Sequence, residues 1–145
     1  GMKKMKNRMR LEFASESCNE RFARMCATAF AAVLDPTVEE IAEIKTAVSE
    51  AVTNAIIHGY ENTEGTVVLE GEIHNNEITF VIHDDGCGID NIEKAREPLY
   101  TGKPEMERSG MGFSIMECFT DKMTVESAPG KGTTVTMSKV IKNDG

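Results

Sequence analysis

Two side chains on one predicted helix have the chemistry to hold a metal ion and to accept a proton. Glu50 and Asn54 are four residues apart in a segment with helical apolar spacing, so both side chains leave the same face. A carboxylate can accept a proton, and an amide oxygen is a ligand that Mg²⁺ accepts. The alternative interpretation is a solvated helix face. His58 continues the row, but the asparagine within it argues against a transition-metal site.

Three segments further along the chain have glycines that would let the backbone approach a ligand closely. Residues 84–88 (DDGCG) follow a predicted strand, where an aspartate can accept a hydrogen bond from an exocyclic amine. Residues 110–112 (GMG) precede a predicted helix, whose free amides can bind phosphate. Residues 132–134 (GTT) begin the last predicted strand and offer hydroxyl groups. Taken singly, each has an ordinary alternative: a tight turn, a chance glycine pair and a β-branched strand.

The order of these signals is more informative than any one of them. The chain has an acid–amide helix, a strand followed by D-x-G-x-G, a long loop, G-x-G before a helix and G-T before a strand. Such a combination is hard to obtain by chance. The sequence has no G-x-x-x-x-G-K-[ST] loop and no protein-kinase H-R-D or D-F-G motif, so it fits neither of those nucleotide-binding classes.

Alternation of apolar and polar residues predicts the strands that must position these segments. Met9, Leu11 and Phe13 alternate with polar residues, which predicts an opening strand. The other predicted strands are residues 66–73 and 77–83, joined by a turn at 74–76, and a closing hairpin of 123–127 with 133–140.

Helical spacing and caps predict the helices. An S-x-x-E capping box at 17–20 begins the first, and a T-x-x-E box at 37–40 begins a long second helix that ends at Gly59. Further helices are predicted over 89–96 and 113–119. The apolar positions of the first helix are Phe22, Met25, Cys26, Ala29, Phe30 and Val33.

Helices early in the chain and paired strands late predict an α/β two-layer sandwich (α+β). We expect a mixed, mainly antiparallel sheet with the helices packed on one face. Residues 5–140 are predicted to form one domain, preceded by an extension over 1–4 that starts with a vector-derived glycine and followed by a tail over 141–145. The segment 97–112 is longer than a simple connection between two elements, and it is predicted to be a lid.

Composition excludes several classes of protein. The 145 residues include 16 Lys plus Arg and 24 Asp plus Glu, a net charge of −8 that disfavours direct binding to nucleic acid. No apolar run is long enough for a membrane span, and no signal core follows the basic start, so we expect a cytoplasmic protein. The cysteines form no C-x-x-C pair, which favours free thiols; they are Cys18, Cys26, Cys87 and Cys118.

Four stretches of the chain resemble one known family. They are residues 11–13 (LEF), 43–46 (EIKT), 49–60 (SEAVTNAIIHGY) and 107–113 (ERSGMGF). They resemble the GHKL ATP-binding superfamily and, within it, the anti-sigma serine kinases of spore-forming bacteria. The likeness runs from about residue 5 to residue 139. It implies the histidine-kinase-like ATPase fold.

The resemblance also implies roles for single residues. Glu50 matches the general base, Asn54 the residue that holds Mg²⁺ on the ATP phosphates, and Asp84 the residue that reads the adenine amino group. Other matches to the nucleotide site are Gly86, Gly88, Arg108, Ser109, Gly110, Gly112, and Thr133 or Thr134. Arg21 and Arg24 lie on the polar side of the first predicted helix and are predicted to bind partner proteins. The resemblance suggests the Arg24 position for both partners, and the alternative interpretation is a solvated arginine. Cys87, between the glycines, departs from a common family spelling and is expected to be neutral.

The function implied by the resemblance is an ATP-dependent protein serine kinase that also sequesters a sporulation sigma factor of the sigma F type. Its substrate would be a serine of an anti-anti-sigma factor, and it would be a homodimer. It would bind ATP or ADP with Mg²⁺, and it would bind the sigma factor in the ATP form and the anti-anti-sigma factor in either form. A histidine acceptor needs no base, so Glu50 favours a serine acceptor. The alternatives are a nucleotide-gated sigma-binding module without kinase activity and a stand-alone ATP hydrolase.

Overall fold

The alternating segments form strands, and the segments with helical spacing form the layer that covers them. The computed structural model describes residues 5–59, 64–88 and 112–143. The elements are strands β1 (Lys6–Ala14), β2 (Thr66–His74), β3 (Glu77–Asp84), β4 (Lys122–Ser127) and β5 (Thr133–Val140), with helices α1 (Asn19–Ala31), α2 (Val38–Asn54) and α3 (Gly112–Phe119). Each of these was predicted. The helix predicted over 89–96 and all but one residue of the predicted lid lie outside the described residues.

The five strands form one sheet in the order β1-β2-β3-β5-β4, with every neighbouring pair antiparallel. The register aligns apolar side chains on one face: Leu69 lies opposite Leu11 on one side and Ile82 on the other. This covered face carries the buried residues of β2 and β3. The opposite face, called the open face below, carries half-buried or exposed residues such as Thr79 and His83. The predicted two-layer sandwich is confirmed, with an antiparallel sheet among the described strands.

Helix α2 is the main covering element. Its buried stripe is Ile44, Ala47, Val48, Ala51 and Val52. The capping box predicted at its start is confirmed, because Glu40 N–H donates to Thr37 Oγ1 at 3.0 Å and Thr37 N–H donates to Glu40 Oε1 at 2.9 Å. Within the described ranges, no helix is both long and apolar enough to cross a bilayer.

Glu40 also fixes the end of the chain to the start of α2. Its carboxylate accepts the backbone N–H of Lys142 at 2.8 Å and of Asn143 at 3.2 Å. Burial by itself would raise the pKa of Glu40, but the hydrogen bonds from Thr37, Lys142 and Asn143 outweigh it and lower that pKa. Ile141, only 2% exposed, is part of the core, one residue beyond the predicted domain boundary.

Two predictions about α1 are wrong. The capping box at 17–20 does not form, since Cys18 is the N-cap residue, lies in helical conformation and makes no side-chain cap. Most of the predicted apolar stripe is also not buried: Phe22 and Met25 are 48% and 59% exposed, while Phe30 does pack against the core. The residues that α1 buries are Ala23, Ala27 and Ala31. Alanines four apart let α1 approach α2 closely, and this close approach displaces the larger side chains to the edges of the contact.

Candidate functional site

Asp84 and Thr133 lie together at one end of the covered face. They are register partners on β3 and β5, and Ser127 of β4 is the next residue in the same row across the sheet. Asp84 is 3% exposed and Thr133 is 9% exposed, and they are the buried polar residues in the described part of the chain. Buried polar groups are retained where they have hydrogen-bond partners or a ligand to meet.

The carboxylate of Asp84 is held in a low-polarity position. Burial raises its pKa from 3.8 to about 6, and the N–H of Gly86, which donates to Asp84 Oδ1 at 2.9 Å, opposes part of that rise. At pH 7 the group is therefore mostly ionised. A buried carboxylate that is still charged is a strong acceptor for a donor on a bound molecule, such as an amino group on a flat ring.

A hydroxyl pair completes the row. Ser127 Oγ donates to the carbonyl of Gly132 at 2.7 Å and lies 2.8 Å from Thr133 Oγ1. Since a serine hydroxyl has one proton, the Thr133 hydroxyl donates to Ser127, and Thr133 Oγ1 keeps acceptor capacity. Ser127 was not among the sequence candidates. Only its register with Thr133, which a linear sequence does not display, identifies it.

Gly88 and Gly132 must be glycines because the loop after β3 and the turn after β4 pack on each other. A Cβ on Gly88 would come within 1.9 Å of the Ala128 carbonyl oxygen, and a Cβ on Gly132 within 2.1 Å of the Asp84 carbonyl oxygen. Both residues have positive φ, +77° and +78°. The Gly130 N–H donates to the Cys87 carbonyl at 2.6 Å and joins the same loops. The turn after β4 therefore holds the loop after β3 in place.

Thr134 does not reach the row that contains Asp84. Neighbouring residues of a strand point to opposite faces, so Thr134 lies on the open face while Thr133 lies on the covered one. Its hydroxyl is 2.7 Å from Nδ1 of His83, the register partner on β3. Of the two predicted threonines, only Thr133 shares the environment of Asp84.

Glu50 and Asn54 lie in the last turns of α2 and are both half-buried. After Asn54 the chain continues as a π-helical turn, Ala55–Gly59. The helical segment thus reaches the predicted Gly59, but its last turn is wider than an α-helical one. Single π-turns are frequent at functional sites, since they re-aim the side chains beside them.

Element packing connects this helix end with the other segments. Helix α2 packs against α3, which begins at Gly112, and the π-helical turn contacts β3, which ends at Asp84. The predicted residues Arg108, Ser109 and Gly110 lie outside the described residues. In the described part of the chain, no group of three or more His, Cys, Asp and Glu side chains is placed to hold a metal ion.

The predicted partner residues lie on α1. Arg21 is exposed, and Arg24 is half-buried with its Nε 3.3 Å from Glu20 Oε2. Phe22 and Met25, on the same helix, are exposed. Helix α1 therefore presents an arginine held by a neighbouring carboxylate beside two large apolar side chains.

Comparison with known proteins identifies the family. The model of the histidine kinase-like ATPase domain matches residues 13–139. An anti-sigma F factor of Clostridium perfringens is 60% identical over 136 residues, 93% of this chain and 97% of that protein. One from Clostridium kluyveri is 55% identical over 137 residues, 94% of this chain and 96% of the relative. The chain belongs to the anti-sigma F factor family of histidine kinase-like ATPase domains.

A solved structure agrees with the fold of this family. The RsbU and RsbW domains of Rv1364c from Mycobacterium tuberculosis match with a TM-score of 0.68 at 17% identity. The match covers 93% of this chain but only 32% of that longer one. The fold that the sequence resemblance implied is therefore confirmed.

Proposed function

We propose that this protein is an ATP-dependent protein serine kinase that also binds and sequesters a sigma factor of the sigma F type. The observation that carries the proposal is the half-buried acid–amide pair Glu50 and Asn54 at the π-helical end of α2, which packs beside the strand that ends in buried Asp84. The pair supplies a proton acceptor and a metal ligand, and Asp84 supplies a base-reading group.

The adenine end of the nucleotide would be bound by Asp84. Its ionised carboxylate accepts a hydrogen bond from the exocyclic amine of adenine, while the Gly86 N–H keeps one carboxylate oxygen oriented. Thr133 Oγ1 offers an acceptor in the same row. Guanine and hypoxanthine carry a carbonyl oxygen in place of that amine, and an oxygen facing the carboxylate would be repelled.

The phosphate end would be bound near the ends of α2 and α3. The amide oxygen of Asn54 is suited to Mg²⁺, which when bound offsets charge on the phosphates. The first backbone N–H groups of a helix have no partner within that helix, so the start of α3 at Gly112 is suited to phosphate oxygens. The family motif adds Arg108, Ser109 and Gly110 to this end of the site.

Glu50 would act as the general base. The serine Oγ of the substrate forms a bond to the γ-phosphorus as the bond from that phosphorus to the ADP oxygen breaks, and the serine proton passes to the Glu50 carboxylate. A base is of use for a hydroxyl acceptor, which must lose a proton, and this supports serine over histidine as the phosphorylated residue.

The partners follow from the names of the relatives and from α1. Relatives with 55% to 60% identity are anti-sigma F factors, so we propose a sigma factor as one partner and its anti-anti-sigma factor as the phosphorylation substrate. Arg24, held by Glu20, would contact both. A sigma factor acts with RNA polymerase, so the interaction belongs in the cytoplasm. The homodimer that the family resemblance implies is part of the same proposal.

The test is transfer of labelled phosphate from ATP to the cognate anti-anti-sigma factor. Glu50→Gln should lower the transfer rate by about a hundredfold or more, the usual contribution of general base catalysis. The matched control is Glu39→Gln, an exposed glutamate in the first turn of the same helix, which should transfer at the wild-type rate.

Two results would contradict the proposal. If the wild-type protein binds the sigma factor but transfers no phosphate, it is a nucleotide-gated binding module. If it releases phosphate from ATP without labelling any protein, it is an ATP hydrolase. Retained transfer in Glu50→Gln would leave serine phosphorylation in place but remove Glu50 as its base.

A further inference from the structure

His83 bridges two residues on the open face, directly behind the nucleotide site proposed above. Its Nε2 is 2.8 Å from Asp85 Oδ1, and its Nδ1 is 2.7 Å from Thr134 Oγ1. Thr134 lies on the neighbouring strand, and Asp85 is the first residue after β3. The imidazole thus ties the start of the loop 84–88 to β5.

The partners of the ring determine what each nitrogen does. An ionised carboxylate only accepts, so Nε2 carries a proton and donates to Asp85. In the neutral ring Nδ1 then accepts from the Thr134 hydroxyl, and in the charged ring it donates to the same oxygen. The contact with Asp85 is therefore available in both protonation states.

Asp84 and Asp85 are adjacent carboxylates that must be kept apart. Asp84 lies 3% exposed on the covered face, whereas the Asp85 side chain is 81% exposed and bonded to His83 on the other. The backbone between them has little freedom because Gly132 packs directly against it. A Cβ on Gly132 would collide with the Asp84 carbonyl oxygen and with the Asp85 Cα. A restraint on Asp85 is therefore transmitted to Asp84, one residue away.

We propose that His83 is a positioning residue for adenine recognition: by holding Asp85 on the open face, it fixes Asp84 in the orientation that accepts from the adenine amine. This inference rests on the proposed binding of an adenine nucleotide. His83 does not touch the nucleotide. It acts through the backbone that joins Asp85 to Asp84 and to Gly86, whose N–H donates to the Asp84 carboxylate.

The ratio of the dissociation constants for ADP and IDP, measured with Mg²⁺, distinguishes a role of His83 in orienting Asp84 from a role in stabilising the fold. The two nucleotides differ at the exocyclic group that Asp84 would read, and neither transfers a γ-phosphate during the measurement. His83→Ala should weaken ADP binding by about tenfold, the scale of a charged hydrogen bond, with a smaller change for IDP. The ratio of the two dissociation constants should therefore approach one.

Three variants make the experiment specific. Asp85→Ala, which removes the other side of the contact, should lower the same ratio. His83→Gln should preserve most of the discrimination, because its amide can donate to Asp85. Thr79→Val is the matched control, since it removes a 3.0 Å hydrogen bond to Ser138 between the same two strands and on the same face, but distant from the loop. It should leave the ratio unchanged.

Each outcome decides between the positioning role and the nucleotide site itself. Equal weakening of ADP and IDP in folded His83→Ala, or an unchanged ratio in Asp85→Ala, would overturn the positioning role while the nucleotide site stands. Failure of the wild-type protein to bind ADP, or to prefer it over IDP, would overturn the adenine site and the positioning role with it. If His83→Ala does not fold by circular dichroism, the ratio in Asp85→Ala decides.

Discussion

Asp84 carries a charge in a position that water hardly reaches. The rise of its pKa from 3.8 to about 6 corresponds to a cost on the order of 3 kcal/mol for the ionised form in the folded protein. A residue kept at such a cost in the free protein is expected to contribute to binding. The carboxylate should therefore lower the stability of the free protein and strengthen binding of an adenine nucleotide.

Replacement of Asp84 by asparagine tests both effects. Asp84→Asn retains an acceptor for the Gly86 N–H but has no charge, so its free energy of unfolding at pH 7 should exceed that of the wild-type protein by about 1–3 kcal/mol. Its affinity for ADP should fall by about tenfold or more. Chemical denaturation and calorimetric titration of the two proteins measure the two changes.

The pH dependence of the stability difference follows from the raised pKa. The folded wild-type protein holds the Asp84 proton more tightly than the unfolded chain, so it gains stability as the pH falls from 7 through about 6 towards 3.8. The advantage of Asp84→Asn should therefore disappear near the acid end of this range. A stability gap that widens on acidification would contradict the assignment.

Among the secondary-structure elements, the turn between β4 and β5 supports the loop 84–88, which would bind adenine. Gly130 and Gly132 both have positive φ, but a Cβ on Gly130 meets nothing within 4 Å, whereas one on Gly132 meets the end of β3. The two glycines therefore differ in packing and share the same backbone requirement. This makes them a matched pair for measuring what contact between the loops contributes.

Alanine at the two positions should have unequal effects. Gly130→Ala should cost about 1–2 kcal/mol for the left-handed conformation. Gly132→Ala should cost more, because the loop must move away from Asp84, and it alone should weaken ADP binding. Thermal unfolding and ADP titration of both variants check this. Equal destabilisation with equal ADP affinity would show that the loop contact does not hold the site.

The sequence alone was sufficient to predict the strands and helices whose local patterns agree with the way they pack in the fold. Alternation located the strands, and the box at Thr37 located the start of α2, since each pattern had one geometric solution. For α1 two apolar stripes were possible, and close packing on α2 selected the alanines, a choice that depends on a partner helix.

The same limit applies to the site. Motif spacing predicted Asp84, Gly88 and Thr133 as site residues, because glycines and a strand-end carboxylate are distinctive types. Ser127 and the bridge from His83 to Asp85 depend on which strands are neighbours and in which register. The order β3-β5-β4 is not readable from a chain in which β4 precedes β5, and so these contacts required the fold.

In the molecule as a whole, we propose that segments far apart in the chain form one adenine-nucleotide site. The helix layer would supply Glu50 and Asn54 from α2, and the sheet would supply Asp84 and Thr133. The π-helical turn, which follows Asn54 directly, packs on β3, the strand that ends at Asp84, and so joins the two layers.

The most direct measurement is a crystal structure of the protein with ADP and Mg²⁺. We expect the adenine amino group to lie within hydrogen-bond distance of the Asp84 carboxylate and Mg²⁺ to lie against the Asn54 amide oxygen. ADP bound away from Asp84, or Mg²⁺ and phosphates remote from the end of α2, would contradict the proposal.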